Sequence, residues 1–193
     1  MELRDRPGLE IVEASTQEHF RAMSLIHAQG WRAAYRDAVP ADWMAEHITD
    51  DRWVETFRDY AERPRFHCFL LLDEGKPVSC ITCGPARIGE QNHGGGMLIQ
   101  FDASGYEGWG EVISFYTMPG ETGKGYGALL MDHCLSQLRA DGFRQAYLFV
   151  LRENEGARRF YAAHGFAWDG THQDIPFPPD TVCVDLRYVK DLG

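Results

Sequence analysis

Gly123-Lys124-Gly125-Tyr126-Gly127 is the stretch of this sequence whose spacing speaks most directly of chemistry. It follows residues 111–118, a run of β-branched and aromatic side chains closed by Pro119, and it precedes an apolar-periodic run from Ala128 to Leu138. There Leu130, Cys134 and Leu138 recur at i, i+4, i+8, and Met131, Leu135 and Leu138 at i, i+4, i+7. The pattern is strand, glycine loop, helix. The first turn of a helix carries backbone N–H groups without internal partners and about half a positive charge. Glycines remove the Cβ atoms that would block close approach. Phosphate or pyrophosphate is the ligand such a site suits. A P-loop is excluded, because Gly120 stands only three positions before Gly123 and Lys124 is followed by Gly125 instead of Ser or Thr. Gly123-x-Gly125-x-x-Ala128 formally satisfies a dinucleotide fingerprint, but Glu153 is a poor acidic partner and further βαβ repeats are missing.

A second motif follows one strand later: Asn154-Glu155-Gly156-Ala157-Arg158-Arg159-Phe160-Tyr161-Ala162-Ala163-His164-Gly165-Phe166. Asn154 is a good helix N-cap and Gly165 a good residue just past a helix end. Ala157, Phe160 and His164 or Tyr161 share a helix face. Together the two stretches resemble the GNAT superfamily of acyl-CoA-dependent N-acyltransferases. Thr122-Gly123-Lys124-Gly125-Tyr126-Gly127 is similar to that family's [QR]-x-x-G-x-[GA] loop, with Thr122 in place of Gln or Arg. The second stretch matches N-x-x-A-x-x-F-Y-x-x-x-G-F at every fixed position.

The resemblance implies an acetyl-CoA-dependent N-acetyltransferase, acting by direct attack of a small-molecule or peptide primary amine in a ternary complex. Acetyl-CoA is then a co-substrate. Thr122, Gly123, Lys124, Gly125, Tyr126, Gly127 and Ala128 would hold its diphosphate, with Asn154 and Phe160 of the second motif completing that set. Backbone groups at Tyr116, Thr117 and Met118 would pair with the pantetheine arm, which adds like a strand at a gap in the sheet. Such chemistry needs an acceptor for the amine proton and a donor for the leaving thiolate. Tyr161 is the implied acid. Glu111 is the candidate base, since a carboxylate in an apolar sheet is raised in pKa; a solvated strand-end glutamate or a water chain is the alternative, with Glu107 and His27 as weaker substitutes. By strand alternation Glu111 shares a face with Ile113, Phe115 and Thr117. Trp31 and Tyr35, with Trp43, are the candidate acceptor-binding residues through cation–π contact. A non-catalytic acyl-CoA-sensing module and a nicotinamide-dinucleotide enzyme are the competing functions.

The chain has 193 residues and a formal net charge of −10 from 19 Lys+Arg and 29 Asp+Glu. That balance disfavours nucleic acid and anionic membranes and mildly favours a cationic acceptor. The N-terminal residues carry charges and a proline where a signal peptide needs an apolar run, and no apolar stretch nears the roughly 20 residues of a membrane span, so a cytoplasmic monomer or homodimer is expected. Cys80 and Cys83 are formally C-x-x-C, but positions i and i+3 of a strand face opposite ways, and no second Cys or His pair stands beside them; no metal is expected.

The elements that must position these groups give an α/β fold. The resemblance makes it a single GNAT-like domain over residues 9–190, with a central mixed, mostly antiparallel six- to seven-stranded sheet, one parallel strand pair splayed apart, and helices on both faces. Residues 9–13 read as a strand and 17–35 as a helix capped by Ser15 or Thr16, weakened at its end by Gly30. Pro40 starts a short helix, and Asp50 or Asp51 can cap a third. Residues 66–73 and 77–84 form a hairpin about Glu74-Gly75. The irregular residues 85–108, with Gly94-Gly95-Gly96, are a substrate lid or a plain surface hairpin, the latter slightly favoured, with a short strand at 97–101. The strand, helix, strand order from residue 110 to 150 implies a parallel right-handed crossover. A sixth strand from Phe166 runs to about Ile175, is broken by Pro176-Phe177-Pro178-Pro179, and gives way to a last strand at 181–189.

Overall fold

The computed structural model describes residues 7–88, 91–94, 97–100, 105–177 and 180–193. Its elements in order are β1 (Leu9–Glu13), α1 (Gln17–Ala34), α2 (Ala41–His47), α3 (Val54–Glu62), β2 (His67–Asp73), β3 (Lys76–Pro85), β4 (Gln91–Gly94), β5 (Met97–Gln100), β6 (Gly110–Thr117), α4 (Tyr126–Ala140), β7 (Gln145–Leu151), α5 (Glu155–Ala163), β8 (Ala167–Phe177) and β9 (Thr181–Asp191). Seven strands form one sheet in the order β1-β2-β3-β6-β7-β9-β8. Neighbours are antiparallel except β6 and β7, which α4 joins by the expected crossover.

Both faces of the sheet are covered, as alternating strands require. On one face Leu130, Met131, Cys134 and Leu138 of α4 and Tyr161 of α5 pack on Ile81, Cys83, Val112 and Leu148. On the other, Phe20, Met23 and Ile26 of α1 and Phe57 of α3 pack on Cys68, Leu70 and Cys80. Cys80 and Cys83 thus face opposite layers, and the five cysteines are free and buried. A third cluster joins the end of α1 and α2 to β7, β8 and β9 through Ala28, Val39, Met44, Leu151, Ile175 and Cys183. Gly30 is an interior packing site instead of a weak end: a Cβ there would lie 2.5 Å from Tyr116 Cδ1, so its absence lets α1 settle directly on β6.

Local signals set most boundaries. Thr16 caps α1 by accepting from the His19 N–H. Asn154 caps α5 by accepting from Ala157 N–H. Gly142 and Gly165 end α4 and α5 with φ of +87° and +81°. Glu74 and Gly75, both at positive φ, turn the β2–β3 hairpin. Two further expectations fail. Neither Asp50 nor Asp51 caps α3; its N-cap is Trp53, and Asp51 instead accepts from the Thr49 hydroxyl. Pro176 does not break β8, which runs on to Phe177 with Pro176 opposite Val182. β8 is an edge strand, where a missing N–H is tolerated.

Strands β4 and β5 pair as a separate antiparallel ribbon, so this part of 85–108 is a hairpin. Gly95 and Gly96 of the glycine run, residues 101–104, the residues before Pro7, and Pro178-Pro179 lie outside the described residues. No helix among the described residues is long and apolar enough to cross a membrane.

Candidate active site

The parallel pair is a fork. β6 and β7 are in register only at Gly110↔Ala146 and Glu111↔Tyr147; beyond those pairs they separate. The cause is a bulge. Opposite β3, Thr82 pairs Ser114 and Cys83 pairs Val112, leaving Ile113 as an extra residue in β6. A bulge bends its strand and increases the local twist. β7 meanwhile stays paired to β9 along its whole length. The open side of the fork is the middle of a cavity of about 930 Å³, which reaches from the glycine loop to the aromatic residues of α1 and α2.

The bulge also corrects the strand face expected for Glu111. Alternation resets at Ile113, so Phe115 packs toward α4 and α5, while Tyr116 packs toward α1 with the other layer. Glu111 lies on the α3 side of the closed end of the fork, 1% exposed. Its carboxylate is committed. Arg87 donates to it from Nε (3.0 Å), Nη2 (2.6 Å) and its backbone N–H (3.1 Å), and Tyr147 Oη donates at 3.0 Å. Arg87 also donates to Tyr60 Oη at 3.2 Å. Burial works against the Arg87 charge, but the adjacent carboxylate outweighs it and holds the guanidinium more firmly protonated than in water. The expectation of an apolar carboxylate poised to take a proton is therefore met in burial and not in surroundings. Nothing in the sequence pattern around Arg87, Tyr60 or Tyr147 announced this network.

The loop side matches its sequence signals. Gly123 and Gly125 have φ of +79° and +85°, and Gly125 is the N-cap of α4 with no side chain capping the helix. A Cβ on Gly123 would meet nothing within 4 Å. Thr122, Gly123, Gly125, Gly127 and Ala128 line the cavity, as do Asn154 and Phe160. Tyr126 lines it too, while the side chains of two loop residues have partners in the protein. The Lys124 ammonium binds Glu121 at 2.6 Å. The Tyr126 hydroxyl donates to Asp73, which ties the loop to β2.

Of the three backbone positions expected at the gap, Thr117 faces it. Met118 N–H is turned to β3, donating to Val78 C=O, and its carbonyl accepts from Glu121 N–H. Tyr116, two residues away, belongs to the same inward-facing set, and its carbonyl accepts from Ser79 Oγ at 2.9 Å.

Tyr161 is 8% exposed and lines the cavity, and its hydroxyl has no hydrogen-bond partner among the described residues. Burial, assisted by Cys134, pushes its phenol well above the ordinary value. Trp31 and Tyr35 stack at 4.1 Å in the far end of the cavity, with Trp43 and Phe177 close by. His27 lies between Trp53 and Tyr116, and burial lowers its pKa to about 3, so its imidazole is neutral. Glu107 is exposed and does not line the cavity. Asp185 of β9 was not anticipated. It is 9% exposed and lines the cavity, and its Oδ1 is buried without a hydrogen bond among the described residues. Its signal in the sequence is a lone acid in the apolar run Val182-Cys183-Val184-Asp185-Leu186. No group of three His, Cys, Asp or Glu residues among those described could hold a metal.

A forked parallel pair beside a glycine-led helix, within a mixed sheet covered on both faces, defines an acyltransferase fold. The acetyltransferase (GNAT) family profile matches residues 28–166, and the chain belongs to that family. An uncharacterized N-acetyltransferase of Mycobacterium tuberculosis is 26% identical over 149 residues, covering 77% of this chain and 83% of that one. Phosphinothricin N-acetyltransferase of Streptomyces coelicolor is 33% identical over 60 residues, 31% of this chain and 35% of that one. The PaiA N-acetyltransferase of Thermoplasma acidophilum, solved in complex with coenzyme A, superposes with a TM-score of 0.67 at 16% identity over 95% of this chain and 98% of its own.

Proposed function

We propose that this acyltransferase moves an acetyl group from acetyl-CoA to a primary amine of a small molecule or peptide, by direct attack with both substrates bound. The fork between β6 and β7 carries the reading: it is an opening in the sheet, lined by backbone, beside an uncapped helix start. An extended amide-bearing arm would lie along the Thr117 edge, and a diphosphate would sit on the first turn of α4, where backbone N–H groups and the helix dipole favour an anion. That a solved neighbour of this fold was obtained with coenzyme A agrees with this placement. Tyr161 keeps its proton throughout the working pH range and offers it to the leaving sulfur. Glu111 serves the site by holding Arg87 and the closed end of the fork, and the amine proton goes elsewhere.

The test is calorimetric titration with acetyl-CoA, followed by a thiol-release screen across polyamines, aminoglycosides, amino acids, arylalkylamines and peptide N-termini. Saturable binding and thiol release with at least one amine are expected. Failure to bind CoA at millimolar concentration overturns the reading.

Gly123→Val gives a sharper result. No protein atom lies within 4 Å of the new Cβ, so the loss of stability should be that of a β-branched residue held at φ +79°, roughly 2 kcal/mol. The side chain would project into the space assigned to the diphosphate. The Kd for acetyl-CoA should rise by more than about tenfold, the effect of about 1.4 kcal/mol, while the far-UV spectrum stays native. Unchanged affinity would remove the loop from the binding site.

A further inference from the structure

Three polar atoms in the cavity lining are buried without a hydrogen bond among the described residues: His27 Nδ1, Ser114 Oγ and Asp185 Oδ1. Buried polar groups in native proteins are nearly always satisfied, so an orphan that faces a cavity points to a ligand. Ser114 is a neutral hydroxyl and His27 a neutral imidazole. Near neutral pH Asp185 alone of the three is poised to exchange a proton, since burial keeps His27 neutral.

Its position is specific. Asp185 sits opposite Leu151 at the end of β7, where that strand borders the open fork. It lies two residues from Cys183 on the same strand face, and Cys183 and Leu151 pack with Trp31, Tyr35 and Trp43. Tyr35 at the C-cap of α1, Tyr116 of β6, Cys183 of β9 and Glu153 beyond β7 are the titratable groups whose charges couple to it. Tyr161 couples in turn to Tyr35 and Tyr116, so the leaving-group donor and this carboxylate bound one space. The charged side chains lining the whole cavity, among the described residues, are Arg87, Glu111, Glu121 and Asp185, and Arg87 is held by Glu111.

Building on the acetyl-transfer reading above, we infer that Asp185 is the group that receives the acceptor's ammonium and takes its proton, and that the acceptor is an amine with an aromatic or apolar body and no anionic group. The far end of the cavity offers such a body the faces of Trp31, Tyr35, Trp43 and Phe177. A carboxylate or phosphinate on the acceptor would find no uncommitted cation there among the described residues and would stand against Asp185. In the step itself the ammonium first gives one proton to the Asp185 carboxylate, which releases it to solvent; the lone pair of the neutral nitrogen then bonds to the thioester carbonyl carbon and the carbon–sulfur bond breaks. The nitrogen's proton goes to the Asp185 carboxylate, and the sulfur takes the Tyr161 proton. Solvent then returns a proton from Asp185 to Tyr161, leaving amide and free thiol. Burial, with the nearby Glu153 charge, pushes the Asp185 carboxyl up to about 7, close to where a general base is most effective. Neither alternative competes: Glu111 is bound on both oxygens, and His27 is too weak a base.

The matched probes are 2-phenylethylamine and L-phenylalanine, which differ by one carboxylate, assayed by thiol release with wild type and Asp185→Asn. The wild type is expected to acetylate 2-phenylethylamine with kcat/KM at least roughly 100-fold above L-phenylalanine, and kcat/KM should rise with pH through about 7. Asp185→Asn should lower it by roughly 100-fold or more and abolish that rise, with acetyl-CoA binding unchanged. A second readout is independent of turnover. A carboxyl raised in the folded state contributes stability below its ordinary pKa that is lost as pH climbs through about 7, so the wild-type thermal midpoint should fall across that window and the variant's should not. Turnover and pH profile unchanged in the variant, preference for L-phenylalanine, or CoA binding without acetylation of 2-phenylethylamine overturns the assignment while leaving CoA binding intact. A wild type that binds no CoA overturns the acetyl-transfer reading instead.

Discussion

Glu111→Ala should lower the unfolding free energy by about 3–5 kcal/mol, the usual result of leaving one member of a buried ion pair alone. For a chain of this size that corresponds to a fall of about 10 °C in the thermal midpoint. The variant leaves the Arg87 guanidinium, which is 4% exposed, buried without its carboxylate, and it removes the acceptor of four hydrogen bonds. The loss is larger than for an ordinary surface pair because solvent cannot step in. Replacing both partners, as Arg87→Met with Glu111→Leu, should recover most of the stability, since no charge is then left buried. Denaturant titration of the single and double variants reads this directly. A Glu111→Ala protein within about 1 kcal/mol of wild type would show that the pair is not the clamp described here. Activity separates structure from chemistry: a clamp variant that stays folded should keep the rise of kcat/KM with pH, whereas loss of a base would flatten it.

The clamp stands where it does for a reason tied to the site. Tyr60 comes from α3, Arg87 from the segment just after β3, Glu111 from β6 and Tyr147 from β7. Glu111↔Tyr147 is also the last backbone pair before the fork opens. A gap in a sheet leaves unpaired N–H and C=O groups on both edges, and the strands would gain by closing it. The bulge at Ile113 bends β6 away, and the clamp fixes the point from which it bends.

Features that depend on neighbours in sequence were legible there. The glycine loop, the Asn154 and Thr16 caps, the Glu74-Gly75 turn and the periodicity of α4 are all set within a few residues, and each appears where the pattern placed it. The GNAT fold and family followed from two such stretches in the right order. What was not legible is long-range. Arg87 and Glu111 are 24 residues apart, and no local pattern pairs them. The extra residue at Ile113 has no signature in strand propensity, yet it moves Glu111 off the face that strict alternation assigns to it. Asp185 stands in the last strand, far from either motif, and its meaning comes only from the cavity that β7 and α1 bring to it. Loop residues show the same limit at short range. Lys124 and Tyr126 sit within the motif, but Glu121 and Asp73 claim their side chains.

Tyr161→Phe should reduce kcat by roughly 10²–10⁴-fold, the span general acid catalysis contributes, with the KM for acetyl-CoA nearly unchanged. The phenol has no hydrogen-bond partner among the described residues, and its ring is held by Phe115, Phe160 and Phe166. Phenylalanine keeps those contacts, so the thermal midpoint should stay within a degree or two, or rise slightly as a buried hydroxyl is removed. The pH profile adds a sign. Burial raises the Tyr161 pKa, so the wild type should show no loss of activity from phenol ionisation below pH 10, and the variant's profile should run parallel beneath it. In the proposed role, a raised phenol is a weak acid and would give up its proton only as the C–S bond breaks, so the interaction would be made chiefly in the transition state. Removing it should therefore lower kcat and kcat/KM together. A Tyr161→Phe enzyme within threefold of wild type would transfer the leaving-group role to solvent, and a selective rise in KM would make the hydroxyl a ground-state contact only.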